Sequence, residues 1–405
     1  MRAGNRHDVY CPGIITSLYR PPMDLFKHLG KKRNRHILVL SSASAHSGLQ
    51  CLYTEVSGDG WQVLQHEVVP YPARTRALID ELARDPAASQ SMRAVAQVEN
   101  EFSLFALDSA RSLLSHVPPS AARPDLVVFN RLVLWKGDLD SRIHRTWNFC
   151  IGEPQLLASF LNAPVLTDFV RHDILAGGAG AMPLLSGDLI IARKAGETAM
   201  LVNLGLIAHI TIIDTSRSEI VVDSDTGPGT YLINRAAAEA GCGEGFDRDG
   251  AAGGAGTADT ACLEQLASHE WFTGRAPKQA QIDTFAELLR HPSLATLTPH
   301  EVLATMTALT ARTIFNFFKQ EYRRPEMPHA LWLSGGGTNN QALVSYLSSY
   351  FSPIAVRSVE ELGIPPASRL PLSLALSANA YLDGKSIRRA GSKAKAVPAG
   401  KWILP

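Results

Sequence analysis

Two carboxylates stand five residues apart in Asp168-Phe-Val-Arg-His-Asp173, and the chain then passes through Ile-Leu-Ala into Gly-Gly-Ala-Gly-Ala at 177–181. The apolar run Pro164-Val-Leu-Thr167 ahead of them predicts a short buried strand. A strand that hands an acid to a backbone-rich loop is a common way to build a reaction site at a sheet edge. The same residues also make a plain strand-to-loop turn, with acids capping nearby N–H groups and glycines supplying positive φ. Taken alone, the segment favours the plain turn.

Three other loops shift that balance. Asp225-Thr-Gly-Pro-Gly229 lies between a predicted strand and a predicted helix. Its glycines let backbone N–H groups face an anion, and the helix N-terminus adds positive potential. A rigid turn capped by Asp225 explains it equally well. Ser334-Gly-Gly-Gly337 follows a strand and leads into Asn339 and Asn340 at a helix start. A tight turn needs one or two glycines; three allow a flat ring or a phosphate to approach the backbone closely. Asp247-Arg-Asp249-Gly250 suits a cation or an Asx turn, and a solvated loop accounts for it best. His46 and His172 have no partner at metal-ligand spacing, so no metal ligand is assigned.

Elements must hold these loops in place. His36–Ser41, Gln50–Val56 and Gln62–Val69 predict strands, with Gly58-Asp-Gly60 as a hairpin turn between the last two. The spacing of Val95, Val98, Phe102, Phe105 and Leu113 predicts a helix over about 91–116. Asp125–Phe129 predicts a buried strand, and Glu153–Leu161 a helix with Pro154 in its first turn. Further strands are expected at Leu189–Ala192, Ala199–Val202, Ile207–Ile213 and Glu219–Val222. A helix over Pro228–Ala240, an exposed Gly/Ala loop over Gly241–Gly256 and helices near 259–270, 279–290 and 299–320 follow. Strand Ala330–Leu333, helix Gln341–Tyr350, strand Ile354–Arg357 and a helix over 371–382 come last. Strand clusters followed by helices occur twice, which predicts two α/β units with a cleft between them.

A chain of 405 residues exceeds one ordinary core. Its 45% hydrophobic and 19% charged content describes a soluble globular protein, and a net charge of +1 argues against a whole-protein partner such as DNA. No run of about 18 apolar residues predicts a membrane span. Cys11, Cys51, Cys150, Cys242 and Cys262 are scattered, odd in number and without a CxxC pair, which fits a reducing compartment. The N-terminus, broken by Pro12, Pro21 and Pro22, does not read as a signal peptide. Lys27, Lys31, Lys32, Arg33 and Arg35 form a basic cluster, and Arg388, Arg389, Lys393 and Lys395 another. Solvated tails explain both; a nuclear address or a nucleic-acid contact is the alternative for the first.

The order of the motifs resembles the anhydro-N-acetylmuramic acid kinases of the actin-like, sugar-kinase and Hsp70 superfamily, from about His36 to Leu382. The family pattern DFRxxDxAxGGQGAP is similar to Asp168–Ala181, and NxGGxxNxT to Asn203-Leu-Gly205-Leu-Ile-Ala-His-Ile-Thr211. FDTGPGNxLID is similar to Ser224–Asn234, DxDG to Asp247–Gly250, and PPK to Ala276-Pro277-Lys278. GGGxxN at Gly335–Asn340 and IGEP at Ile151–Pro154 are intact.

The resemblance implies an α/β fold of two actin-like (ribonuclease H-like) domains with an interdomain cleft. Expected are a basic tail over 1–35, domain I over 36–190 completed by the helix 371–383, domain II over 191–370, and a basic tail over 384–405. It implies ATP and magnesium, and phosphorylation of an anhydro amino sugar at O6 with hydrolytic ring opening. Asp173 falls at the position of the general base, a task that suits a carboxylate in a closed cleft. The nucleotide side would be Gly48, Asn203, Gly205, Asp225, Gly227, Gly229, Gly335, Gly336, Gly337 and Asn340. The sugar side would be Gly177, Gly178 and Asp168, the last as a supporting acid. Expected partners are a nucleotide and an amino sugar, with a homodimer left open, no membrane and nucleic acid disfavoured. The expected compartment is the cytoplasm.

The chain departs from the pattern where phosphate and sugar would be held. The GTSLDGID turn corresponds to Ala43-Ser-Ala-His-Ser-Gly-Leu-Gln50, in which only Gly48 is identical and Ser47 and Gln50 replace acids. That puts magnesium in doubt. SHGQT corresponds to Phe129-Asn-Arg-Leu-Val133. Val170, Ala179, Leu206 and Leu370 replace an arginine, a glutamine, a glycine and an acid, and Gln279-Ala-Gln281 replaces STG. Losing one preorganised donor to a transition state typically costs ~2.7–4 kcal/mol, and such losses do not add. A kinase and a catalytically inactive pseudokinase that binds nucleotide or sugar therefore both stand, and the altered turns favour the second.

Overall fold

The computed structural model describes residues 28–42, 48–84, 92–138, 146–175, 184–196, 198–242, 245–280, 282–385 and 400–405. Strands β1 (Asn34–Ser41), β2 (Leu49–Ser57) and β3 (Gly60–Val69) form an antiparallel meander. Helices α1 (Ala73–Arg84) and α2 (Met92–Ser115) lead to β4 (Leu126–Asn130), which pairs parallel with β1. A hairpin of β5 (Leu132–Asp138) and β6 (Thr146–Ile151) stands apart as its own two-stranded sheet. Helix α3 (Pro154–Leu161) returns the chain to β7 (Val165–Thr167), parallel to β4, and α4 (Phe169–Leu175) follows.

Helix α5 (Leu185–Ala195) crosses to a second sheet. There β8 (Thr198–Leu204), β9 (Ile207–Asp214) and β10 (Glu219–Pro228) form another antiparallel meander. Helices α6 (Tyr231–Glu239), α7 (Thr260–Ala267) and α8 (Pro299–Glu321) precede β11 (Ala330–Ser334), which is parallel to β8. Helix α9 (Gln341–Phe351) leads to β12 (Ala355–Ser358), parallel to β11, and α10 (Arg369–Leu382) follows. The sheet orders are β13-β7-β4-β1-β2-β3, where β13 is Lys401–Ile403, and β10-β9-β8-β11-β12. Apart from β13, both sheets have one plan: an antiparallel meander whose first strand takes two further strands in parallel on its other side. This is the ribonuclease H-like order, present twice, as in the actin-like fold.

Strand periodicity builds three cores. In β8, Met200, Val202 and Leu204 face α6, α8 and α9, while Ala199 and Leu201 face the first sheet. In β1, Leu38 and Leu40 face α2, while Ile37 and Val39 face the second sheet. Helices α5 and α10 fill the space between the two inner faces with Leu189, Ile191, Leu372 and Leu376. The backbones of these helices touch at Gly187, where a Cβ would lie 2.0 Å from the Ser373 carbonyl oxygen.

Several expectations are corrected. Leu189–Ala192 is helix, not strand. It is buried on every side, between two sheets and a second helix, so it lacks the apolar stripe that marks a surface helix. The N-terminal basic tail ends earlier than residue 35. Arg35 is buried in β1, where its guanidinium reaches Asp383 at 2.7 Å, Asn379 at 2.5 Å and the Leu29 carbonyl at 2.9 Å. Lys32 pairs with Asp125 at 2.7 Å. The C-terminal tail gives up its end to β13, which pairs antiparallel with β7. Part of the Gly241–Gly256 loop is built: Arg248–Gly250 and Ala251–Ala255 are short helices, with Gly250 and Gly253 buried. The hairpin β5–β6 and helix α1 were not anticipated.

Candidate functional site

The parallel strands of both sheets end at one mouth between the inner faces, the place where open α/β sheets hold ligands. On the second sheet, the face that carries Ala199 and Leu201 continues upward into a polar row. Ser334 stands opposite Asn203, Asn203 opposite His209, and His209 opposite Asp225. One step below, Thr211 stands opposite Asp223 on the same face. On the inner face of the first sheet, at the ends of β1 and β4, are Ser41 and Asn130, joined by a 3.1 Å hydrogen bond.

His209 is held through both ring nitrogens. Nδ1 lies 2.8 Å from Asp225 Oδ1, and Nε2 lies 2.9 Å from Asp223 Oδ1. A carboxylate can only accept, so both contacts are hydrogen bonds only when the ring is an imidazolium. Burial opposes the charge, but the bonds to Asp223 and Asp225 outweigh it and push the ring up to about 9. The second oxygen of Asp225 accepts from the Ala280 N–H at 2.8 Å. Beside it, burial pulls the Lys278 amine down to about 8, against Glu321 and Asp225. That amine lies 4.1 Å from the Trp271 ring centre and 4.9 Å from that of Phe317. Behind the row, burial pushes the Asp188 carboxyl up, opposed by Arg369 at 2.6 Å and by Ser373.

A second cluster sits on the first-sheet side. Arg131 donates to Asp168 Oδ1 at 2.8 Å and to the Cys150 carbonyl at 2.8 Å, with Glu99 at 4.0 Å. Asp168 has φ of 59°, a left-handed corner between β7 and α4. Glu99 is raised by burial, although it accepts from the Gly152 N–H at 2.7 Å. The segment after Asp168 is thus a helix, with Asp173 in its second turn. The side chain of Asp173, the glycines Gly177 and Gly178, and residues 43–47 lie outside the described residues.

The glycine turns divide by what fills the space beside them. A Cβ at Gly229 would lie 2.1 Å from the Gly205 carbonyl oxygen, and one at Gly48 2.4 Å from that of Val69. Gly227, Gly335 and Gly337 are likewise closed by protein atoms, Phe272 and Leu204 among them, and Gly205 is tight against Asn203. Gly336 has no atom within 4 Å of the added carbon, so here alone in the triple glycine the backbone faces open space. Asn340 caps α9, its side chain accepting from the Leu343 N–H at 2.9 Å. Asp225 lies inside β10 rather than in a loop after it. Asp247 accepts from the Ala252 and Gly253 N–H groups at 2.8 and 2.9 Å and is spoken for as a cap.

Sequence reasoning missed His209, Asp223 and Arg131 as site residues. His209-Ile-Thr211 and Asp223-Ser-Asp225 place polar groups two apart in strands of Ile and Val, and that alternation was the available signal.

Two ribonuclease H-like sheets meeting at a polar mouth define an actin-like protein. The chain belongs to the anhydro-N-acetylmuramic acid kinase family, whose model, described as Anhydro-N-acetylmuramic acid kinase, matches residues 34–394. The anhydro-N-acetylmuramic acid kinase of Salinibacter ruber is 27% identical over 89% of this chain and 94% of its own length. That of Streptomyces avermitilis is 31% identical over 70% of this chain and 71% of its own. Among solved structures, the activator of the 2-hydroxyisocaproyl-CoA dehydratase from Clostridium difficile with bound ADPNP is similar over 88% of this chain and 99% of that one. The identity there is 11% and the TM-score 0.39. No helix among the described residues is long and apolar enough to cross a membrane.

Proposed function

We propose that this chain binds a nucleotide, ATP by family, at the mouth between the sheets, and that phosphoryl transfer to an anhydro amino sugar is lost or strongly reduced. The observation that carries the first half is the open backbone at Gly336 beside the polar row Ser334–Asn203–His209–Asp225. The second half rests on the described acids around the mouth. Asp223 and Asp225 are engaged by His209, Asp168 by Arg131, and Asp247 by two backbone N–H groups. A magnesium ion, which the family implies, would have to share these oxygens with donors already bound to them, and at Asp225 and Asp247 both oxygens are taken. The two units we assign to nucleotide closure are the two sheets with their helices, over 36–190 with 371–383 and over 191–370.

Calorimetry with ATP tests the binding. Gly336→Leu is expected to weaken ATP at least tenfold with little change in melting temperature; an unchanged affinity removes Gly336 from the site. A second reading, a working kinase with Asp173 as base, is favoured by the acid retained at that position. ATP turnover dependent on anhydro-N-acetylmuramic acid and abolished in Asp173→Asn would establish it and sink the inactive reading.

A further inference from the structure

The cluster of His209, Asp223 and Asp225 goes beyond anything the phosphate and sugar turns require. Two acids at alternate positions of β10 point to one face, toward the mouth. Left to themselves they would repel each other and any anion brought there. They are instead joined by a ring that lies 2.8 and 2.9 Å from one oxygen of each. Thr211 adds a donor to Asp223 at 3.5 Å, and the Ala280 N–H fixes the far oxygen of Asp225. With both acids ionised, each bond from the ring runs to an acceptor, and the arrangement is then satisfied by a cation.

We propose that His209 is a built-in cation of the mouth: as an imidazolium gripped by Asp223 and Asp225, it neutralises acids that would otherwise call for a divalent ion, so that a polyphosphate binds there without metal. This rests on the nucleotide reading for the identity of the ligand, and on this chain's own geometry for the cation. The surrounding charges support it. Lys278 faces Asp225 from the segment after Pro277, and Asp188 faces both His209 and Asp223 from α5. Arg369 of α10 occupies Asp188 at 2.6 Å. With His209 charged, these six groups contain three cations and three anions, and Glu321, which also faces Lys278, is paired with Arg275 at 3.4 Å; with the ring neutral, the mouth carries an excess negative charge. The ring's raised proton affinity agrees with the first state.

The experiment has three arms on the full-length protein. Nitrogen-15 spectra of the histidine rings at pH 7.5, with His209 assigned by its loss in His209→Asn, are expected to show both ring nitrogens protonated; a neutral ring overturns the proposal. Titration with MnCl2 is expected to give a gain in affinity of at least tenfold in His209→Asn over the unaltered chain, abolished in His209→Asn with Asp223→Asn. No gain, or an equal affinity already present in the unaltered chain, overturns it. ATP is then titrated in EDTA and in excess magnesium. Affinities within about threefold of each other support metal-free binding, and binding that appears only with magnesium overturns it. Absence of ATP binding in both buffers sinks the nucleotide reading instead, and the manganese comparison then decides the role of His209. Should His209→Asn not fold, His209→Gln and Asp223→Asn carry the same comparison.

Discussion

The two sheets share a strand order and yet finish their mouths in opposite ways. On the first, small neutral groups, Ser41 and Asn130, bond to each other, and among the described residues the strong charge pair is Arg131 with Asp168, out at the corner before α4. On the second, the charges sit in the sheet itself, as His209 between Asp223 and Asp225. The glycine turns follow the same division. Those of the second sheet pack against one another, Gly229 on Gly205 and Gly335 and Gly337 on Leu204, and leave Gly336 open. One topology thus supports a neutral lip and a charged lip, and the chemistry of the mouth follows from which residues the alternation turns inward rather than from the fold.

The largest expected effect breaks what both lips share, the helix pair behind them. Arg369→Met leaves Asp188 buried without its cation and should cost about 3–5 kcal/mol, read as a lower denaturant midpoint. A loss under 1 kcal/mol would mean that Asp188 is protonated in the native protein. On the neutral lip, Arg131→Met strips Asp168 of its guanidinium and the Cys150 carbonyl of a donor. About 1.5–3 kcal/mol is expected, from hydrogen bonds to a charged group. If stability is unchanged, the Asp168 corner is held by the β7–α4 backbone alone.

A third effect separates the lips by pH. The folded His209 lies near 9 against an ordinary value of 6.5. Its contribution to stability is therefore fully present below about 6.5 and declines as pH rises through about 9. Denaturation curves between pH 6 and 10 should show this decline, and His209→Asn should flatten it. Lys278 runs the other way, since its folded value of about 8 lies below its ordinary 10.5, so Lys278→Met is the control that isolates the histidine. A decline that persists unchanged in His209→Asn would mean that the charged lip is not held by its histidine.

Much of the fold was legible because both meanders have alternating apolar runs and both helical blocks have spaced ones. Ala199–Val202 and Ile207–Ile213 were found within two residues of β8 and β9 at either end. Leu189–Ala192 misled because total burial erases periodicity, and β13 because three residues after a basic run carry no pattern of their own. The glycine turns were legible as turns. Whether a glycine faces a ligand or a neighbouring backbone was not, since Gly229 and Gly336 look alike in sequence and differ only in what lies beside them. Arg131 could not be paired with Asp168 in advance, because the partners are 37 residues apart and meet only through the parallel alignment of β4 and β7.

The contact of Gly187 with Ser373 limits how the two sheets can move. Helices α5 and α10 are already backbone to backbone there, and the Gly187 N–H donates to Ser377 Oγ at 2.8 Å. Two rods in contact can roll across each other but cannot come nearer. Any closing of the mouth would therefore be a rotation with its fulcrum at this crossing, opening one end of the inter-sheet space as it shuts the other. Gly187→Ala would wedge the rods apart and shift the resting aperture, a change that small-angle scattering or a pair of distance labels across the mouth would register.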